Sequence, residues 1–208
     1  MKRAIFGGTF DPVHQGHVEI VRAILNGGYS DIVTVLPAWE PPHKKSVRTA
    51  YCHRLEMAKL AFKEMDGVEV SDLESVWCFE PSYSWRVLNA FQELYPGDEI
   101  QMVIGGDSLK NFASWYNVRE LAEKFNFLIY PRRGEDCDFA ALAAAVGAES
   151  AGKMCSNIIN ASFFEISSTI LRKKLANSEN TANFISETVY NYIKDKKLYR
   201  SGIEEQHD

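Results

Sequence analysis

Residues 2–17 read Lys2-Arg3-Ala4-Ile5-Phe6-Gly7-Gly8-Thr9-Phe10-Asp11-Pro12-Val13-His14-Gln15-Gly16-His17. The short apolar run from Lys2 to Phe6, closed by two glycines, predicts a buried strand that ends in a tight turn. Beyond it Val18, Val21 and Leu25, with Ile20 and Ile24, recur at helical spacing. The helix stops near Gly27-Gly28, and the β-branched run Asp31 to Leu36 (DIVTVL), bounded by Gly28 and Pro37, predicts a second buried strand. The chain therefore opens with a βαβ unit.

The alternation continues outward from that unit. After a loop rich in Pro and Lys (PAWEPPHKK) comes a helical pattern through Leu55, Ala58, Leu60 and Ala61, then a strand-like stretch from Val68 to Leu73. A helix from Val87 to Leu94 is stopped by Pro96-Gly97, and a strong strand from Ile100 to Ile104 runs into a second glycine turn, Gly105-Gly106-Asp107. Val118 to Lys124 predicts helix, Phe125 to Tyr130 strand, Phe139 to Val146 helix, and Asn157 to Ile159 a last short strand. From Ser167 the pattern is helical, broken across NSENTAN and resumed through Val189, Tyr192 and Ile193, with a charged tail after Tyr199 that is expected to fray. Strands alternating with helices, without repeats or long linkers, predict a doubly wound, Rossmann-like parallel α/β sheet with a C-terminal helical part. A single domain is expected over 1–200, its helical part at about 166–199 and the tail at 201–208. In such sheets ligands gather outside the carboxyl ends of the strands, so the two glycine turns are expected to meet there.

Composition bounds the partners. A chain of 208 residues, 46% apolar and 25% charged, is an ordinary globular protein large enough for one substantial core. Its net charge of −5 argues against nucleic acid as a partner and leaves room for a small anion held by local donors. Cys52, Cys78, Cys137 and Cys155 are widely separated, with no Cys-x-x-Cys pair, and are expected to be reduced thiols. Neither a secretory signal pattern nor a membrane-spanning apolar run occurs, so a cytoplasmic protein without membrane attachment is expected.

The chemistry concentrates in the first turn. Gly7 and Gly8 let backbone N–H groups approach a ligand closely, and the following helix start favours phosphate. His14 and His17, three residues apart, can face the same side and donate to one phosphate. Rival readings are a metal pair, for which no third ligand lies nearby in sequence, and satisfied structural histidines. Far along the chain, Ile166-Ser167-Ser168-Thr169-Ile170-Leu171-Arg172 sets hydroxyls and free N–H groups at a helix start, with an Arg one turn in. That arrangement suits the outer phosphates of ATP, the guanidinium offering a planar fork of donors. Equally, Ser167 or Ser168 can be a plain N-cap and Arg172 a solvated charge.

The string GGTFDPVHQGH resembles the signature of the HxGH nucleotidyltransferases, and residues 166–172 resemble the ISSTxxR motif of the same superfamily. Within it the resemblance is closest to bacterial nicotinate-nucleotide adenylyltransferase, from Arg3 to Tyr199. It rests also on Pro41-Pro42-His43-Lys44, Pro81-Ser82-Tyr83-Ser84, Gly105-Gly106-Asp107-Ser108-Leu109, Ser114-Trp115-Tyr116, Pro131-Arg132 and the terminal KKLY. The chain departs from the family where Ser84 replaces a threonine and Arg86 an acid.

The resemblance implies transfer of the adenylyl group of ATP to nicotinate mononucleotide, with Mg²⁺ carried mainly by the ATP phosphates. Nicotinamide mononucleotide, or another phosphorylated acceptor, is the alternative substrate, and a non-catalytic nucleotide-binding sensor the alternative class. It implies His14, His17 and Arg172 as catalytic residues. Gly7, Gly8, Thr9, Phe10, Gly105, Asp107, Ile166, Ser167, Ser168 and Thr169 would bind ATP, Asp107 through the ribose hydroxyls. Lys44, Tyr83, Ser84, Trp115, Tyr116 and Arg132 would hold the acceptor, with Trp115 stacked on its pyridine ring. No protein-held metal is expected, and a homo-oligomer is left open.

Overall fold

The computed structural model describes residues 1–40, 49–79, 82–131, 138–161 and 166–200. Its strands are β1 (Lys2–Gly8), β2 (Ile32–Pro37), β3 (Val68–Val70), β4 (Glu99–Gly105) and β5 (Asn126–Tyr130). The helices are α1 (Gln15–Asn26), α2 (Tyr51–Phe62), α3 (Leu73–Trp77), α4 (Ser84–Leu94), α5 (Gly106–Lys110), α6 (Val118–Lys124), α7 (Phe139–Val146), α8 (Ala148–Ser156), α9 (Ser168–Ala176) and α10 (Glu187–Asp195). One 3-10 turn spans Phe112–Ser114. Among the described residues no helix is long and apolar enough to cross a membrane.

The strands form one sheet in the order β3-β2-β1-β4-β5, every ladder parallel. Parallel strands are covered on both faces, which explains why they read as continuous apolar runs. Successive side chains still alternate between faces. Ala4 and Phe6 of β1, Val33 and Val35 of β2, Val103 of β4 and Leu128 of β5 enter one core. There they meet Val21 and Ile24 of α1, Met57 and Phe62 of α2, Leu171 of α9 and Val189 and Ile193 of α10. Ile5, Leu36, Ile104, Phe127 and Ile129 enter the other, against Leu88 and Phe91 of α4, Leu121 of α6, Leu142 of α7 and Met154 of α8. The C-terminal helices α9 and α10 thus share a core with α1.

After β3 the chain crosses β1 to lay down β4 on its far side, so the strand order reverses between β1 and β4. Their ladder runs from Lys2↔Glu99 to Ile5↔Met102 and stops three residues short of either strand's end. By contrast β1 stays paired with β2 to Gly8↔Pro37, and β4 with β5 to Gly105↔Tyr130. A crevice therefore opens at the switch point, between the two glycine turns.

Four local expectations are corrected. The strand from Val68 ends at Val70, and Leu73 opens α3, because Ser71 and Asp72 supply turn and cap bonds: Leu73 N–H donates to Ser71 Oγ at 3.3 Å and Ser75 Oγ to Asp72 O at 2.7 Å. Residues 157–159 form a single bridge beside β5, Ile129↔Ile158, instead of a strand. Before it lies α8, absent from the sequence reading, which starts at Gly147 in the left-handed region, φ 86°. The buried stripe of α2 is Arg54, Met57, Ala58 and Phe62, shifted from the one expected through Leu55 and Leu60. The charged tail, 201–208, and Cys137 lie outside the described residues.

At the amino ends of the strands Arg3, 3% exposed, ties the sheet together. Its Nε donates to Asp98 at 2.9 Å, Nη1 to Glu69 at 2.6 Å and to Thr34 Oγ1 at 3.1 Å, and its guanidinium lies 3.8 Å from the Tyr95 ring centre. The bond from Arg3 holds the Asp98 carboxyl below the ordinary aspartate range. A depressed folded-state pKa means stability present above the unfolded-state pKa, about 4, and lost as pH falls through the folded one. Asp98→Asn is expected to cost about 1–3 kcal/mol in urea unfolding at neutral pH, and the gap from the parent should close in acid below that range. A gap independent of pH would contradict this.

Candidate active site

Gly7 and Gly8 end β1 at the crevice. A Cβ built on Gly7 meets nothing within 4 Å, so the space beside it is open to a ligand. One on Gly8 lies 3.0 Å from the Phe10 ring. Phe10, at φ 49°, turns that ring inward, where it is 1% exposed. It packs edge-on to Phe6 at 5.5 Å and to His17 at 4.9 Å, so its side chain supports the histidine from beneath and only its backbone remains for a nucleotide.

His14 is the N-cap of α1 and His17 its third residue. Their rings stack with centres 3.7 Å apart at 25°. His14 N–H donates to His17 Nδ1 at 3.1 Å. A ring nitrogen that accepts carries no proton, so in neutral His17 the proton sits on Nε2, which is then a donor. Near-parallel rings, one with its Nδ1 already engaged, suit parallel donors better than a tetrahedral ion. Among the described residues no group of three or more His, Cys, Asp or Glu side chains stands ready to hold a metal.

The late motif docks onto this turn. Ser167 is the N-cap of α9 and accepts from Ile170 N–H at 3.3 Å, so its hydroxyl serves its own helix. Ser168 Oγ donates to Pro12 O at 3.0 Å, and Arg172 Nη1 to Asp11 O at 2.7 Å. Arg172 Nη2 donates to Thr169 Oγ1 at 3.3 Å, and the guanidinium faces Asp11 Oδ2 at 3.6 Å. The structure thereby docks Ser168, Thr169 and Arg172 on the Asp11-Pro12 turn, two residues before His14. Ile166 packs against the core beside them.

Across the crevice, Gly105 ends β4 and Asp107 lies in the first turn of α5. A Cβ on Gly105 would fall 2.3 Å from Asp107 Oδ1 and 2.8 Å from the Tyr130 hydroxyl, so glycine is what admits both groups over the strand end. Helices in a parallel sheet run back against the strands, which returns the start of α4 to the carboxyl edge. There Tyr83, the N-cap of α4, stacks on Tyr116 with centres 4.9 Å apart at 15°, and Ser84 begins the helix. Arg86 places its guanidinium 5.7 Å from the Tyr83 ring centre, a cation–π contact that offsets its unfavourable place in a first turn. Half-buried Trp115 packs on Phe112 at 4.9 Å. Trp77 and Trp85 pack against the second core, as large aromatics usually do. Lys44 and Arg132 lie outside the described residues.

Three buried polar residues behind the site escaped the sequence reading: Asp11, Arg54 and Glu74. Arg54, 2% exposed, spends its donors on carbonyls: Thr49 at 3.1 Å, Thr9 and Ala38 at 2.9 Å each, and Trp39 at 3.4 Å. It thus pins the turn after β1 to the turn after β2. Burial lowers its pKa, opposed by the nearby Asp11, Tyr199, Tyr51 and Glu74. Glu74, raised by burial, accepts from Trp39 N–H and Ser82 Oγ, both at 2.8 Å. The signal for Arg54 was present: a cation in phase with Met57, Ala58 and Phe62 on the buried stripe of α2. Asp11 accepts from Tyr199 Oη at 2.7 Å. Arg54→Met should cost about 3–5 kcal/mol, because several buried carbonyls lose their donor and Asp11 and Glu74 a countercharge. Arg54→Lys should fall between the two, and an unchanged urea midpoint for the Met variant would sink this account.

Comparison with known proteins places these features in a wider set. Residues 5–174 match the cytidylyltransferase-like family profile. A protein of Clostridium tetani named nicotinate-nucleotide adenylyltransferase is 33% identical over 96% of this chain and 99% of its own length. One of Clostridium kluyveri with the same name is 34% identical over 96% and 100%. Among solved structures, the nicotinic acid mononucleotide adenylyltransferase of Plasmodium falciparum complexed with NaAD shares the fold, with a TM-score of 0.78 at 23% identity over 96% of this chain and 98% of that one.

Proposed function

The chain belongs to the cytidylyltransferase-like family, and from that premise we propose that it transfers the adenylyl group of ATP to nicotinate mononucleotide. The products are nicotinate adenine dinucleotide and pyrophosphate, a late step of NAD biosynthesis. The reading is supported by relatives of that name matched over 96% of the chain. The observation that carries it is the docking of Ser168 and Arg172 of α9 on the Asp11-Pro12 turn, which leads directly into the two stacked imidazoles at the start of α1.

The acceptor phosphate is already mostly ionised at neutral pH, its second pKa being about 6, so attack on the α-phosphorus of ATP needs no general base. The work left to the protein is positioning and charge stabilisation during in-line displacement of pyrophosphate. We assign His14 and His17 to the phosphate oxygens near the reacting phosphorus, His17 donating from Nε2, and Arg172 to the outer phosphates with Thr169 beside it. Backbone donors at Gly7, Gly8 and Thr9 line the approach, and Asp107 accepts from ribose hydroxyls. Trp115, Tyr83, Tyr116 and Ser84 hold the pyridine end of the acceptor. The donor set of the crevice is nitrogen-rich and suits phosphate better than a hard cation, so Mg²⁺ fits this site as a passenger on the ATP phosphates, where it neutralises charge. We place the enzyme in the cytoplasm, where reduced thiols such as those of Cys52 and Cys78 persist.

Pyrophosphate release measured with ATP or CTP against a panel of mononucleotides tests the reading. The expected result is turnover with ATP and nicotinate mononucleotide, exceeding that with nicotinamide mononucleotide or with CTP. Release with no pair would leave a nucleotide-binding sensor instead. His17→Ala should lower turnover at least about a hundredfold, roughly 2.7 kcal/mol of barrier or more, with the fold intact; near-normal turnover would remove His17 from the mechanism. Trp115→Ala should raise the acceptor KM and leave ATP affinity unchanged, and the reverse pattern would contradict its placement.

A further inference from the structure

The turn that follows α10 bends back toward the first glycine turn. After α10, Lys197 and Tyr199 both adopt left-handed backbone, φ 58° and 61°, a region that costs a non-glycine residue about 1–2 kcal/mol. Leu198 between them is buried, and its N–H donates to Ile193 O at 3.0 Å. This strained turn brings the Tyr199 hydroxyl to Asp11, to whose Oδ1 it donates at 2.7 Å across 188 positions of sequence, with Met57 Sδ at 4.0 Å and Thr49 also beside it. The loop before α10 touches the same turn, where Phe184 O accepts from Gln15 N–H at 2.8 Å, at the start of α1.

Asp11 is 1% exposed and adjoins Arg172 at two levels. Its main-chain carbonyl accepts from Nη1 at 2.7 Å, whereas its carboxylate Oδ2 stays 3.6 Å from the same nitrogen, too far for a hydrogen bond. Among the described residues Oδ2 has no hydrogen-bond partner of its own. A buried carboxylate beside a guanidinium would ordinarily close on it in a two-point fork. Here the hydroxyl of Tyr199 holds the other oxygen and keeps the carboxylate turned.

We propose that Tyr199 is a positioning residue for adenylyl transfer: by holding Asp11 Oδ1 it lets Asp11 tether Arg172 through the main chain without capturing the donors that the triphosphate needs. The inference rests on the assignment of Arg172 to the ATP phosphates. Burial, with Asp11 next to it, pushes the Tyr199 phenol well above the ordinary tyrosine value, so the hydroxyl keeps its proton at neutral pH. Glu74 and Arg54, the other buried charges near Asp11, act on carbonyls, a backbone N–H and a serine hydroxyl and do not replace this bond.

A double-mutant cycle tests this. Tyr199→Phe should lower kcat and ATP affinity by about tenfold while the acceptor KM moves by less than about twofold. In an Arg172→Ala background the same change should have almost no further effect on either quantity, because the group it protects is gone. Equal losses in the two backgrounds, or no loss in the parent, would overturn the proposal. If Tyr199→Phe fails to fold on its own, it is paired with Asp11→Asn, whose amide cannot capture Arg172; in that background Tyr199→Phe should change kcat and ATP affinity by less than about twofold relative to Asp11→Asn alone, and a loss of about tenfold there would overturn the proposal. ATP binding by calorimetry runs alongside turnover, so an inactive parent that still binds ATP would reject the acceptor assignment while the cycle still decides the role of Tyr199.

Discussion

The arrangement depends on one constraint: β1 cannot stay paired with both neighbours to its end. It keeps β2 as far as Gly8↔Pro37 but leaves β4 after Ile5↔Met102. Because the chain winds outward from β1 in both directions, the connections on the two sides leave opposite faces of the sheet, and a gap is the geometric result. One wall of that gap is the turn from Gly7 to His14 and the α9 motif docked on it. The other is the turn from Gly105 to Asp107, followed by Trp115 and Tyr116. The first wall carries imidazoles, hydroxyls and a guanidinium, the second a carboxylate and aromatic rings.

Behind the first wall lies a layer of buried charge. Arg54, Asp11 and Glu74 are each at most 5% exposed, and Arg172 stands at their edge. Removing such charges from water is expensive, so their value is in what they fix. Arg54 spends its donors on carbonyls of two strand-end turns, and Asp11 joins the guanidinium of Arg172 to the end of the chain. Donors already oriented before substrate arrives need no reorganisation as charge shifts in the transition state. This also reconciles the chain's net charge of −5 with an anionic ligand: recognition rests on a few oriented local groups and not on an overall field.

The sheet was legible in the sequence because its strands are short apolar runs closed by Gly or Pro, and α6 and α7 agree to the residue with their apolar patterns. The two glycine turns were legible as well, each closing a strand, and α9 begins where the serine pair offered an N-cap. What escaped was set by tertiary context. The β3 edge strand yields to Ser71 and Asp72, whose local bonds compete with a ladder that has one neighbour only. Phe10 looked like part of a ligand loop, yet its positive φ turns the ring into the core under His17. Arg54 was hidden because a charge on a helix is ordinarily solvated, and only its phase with Met57 and Ala58 betrayed burial. Asp11 and Tyr199, 188 positions apart, could not be paired from sequence without the path of the last helices.

That path bears on how the site is completed. The first motif forms on a local βαβ unit, but its turn is braced by Ser168, Arg172, Phe184 and Tyr199, all from the last third of the chain. Leu171, Val189, Ile193 and Leu198 bury their side chains in the core that also holds Val18, Val21 and Ile24 of α1. Apolar burial thus supplies the stabilisation, while the hydrogen bonds to residues 11–15 convert it into a fixed geometry. An enzyme that works by positioning gains from such a division: the same helices that cover one face of the sheet also fix the turn between β1 and α1.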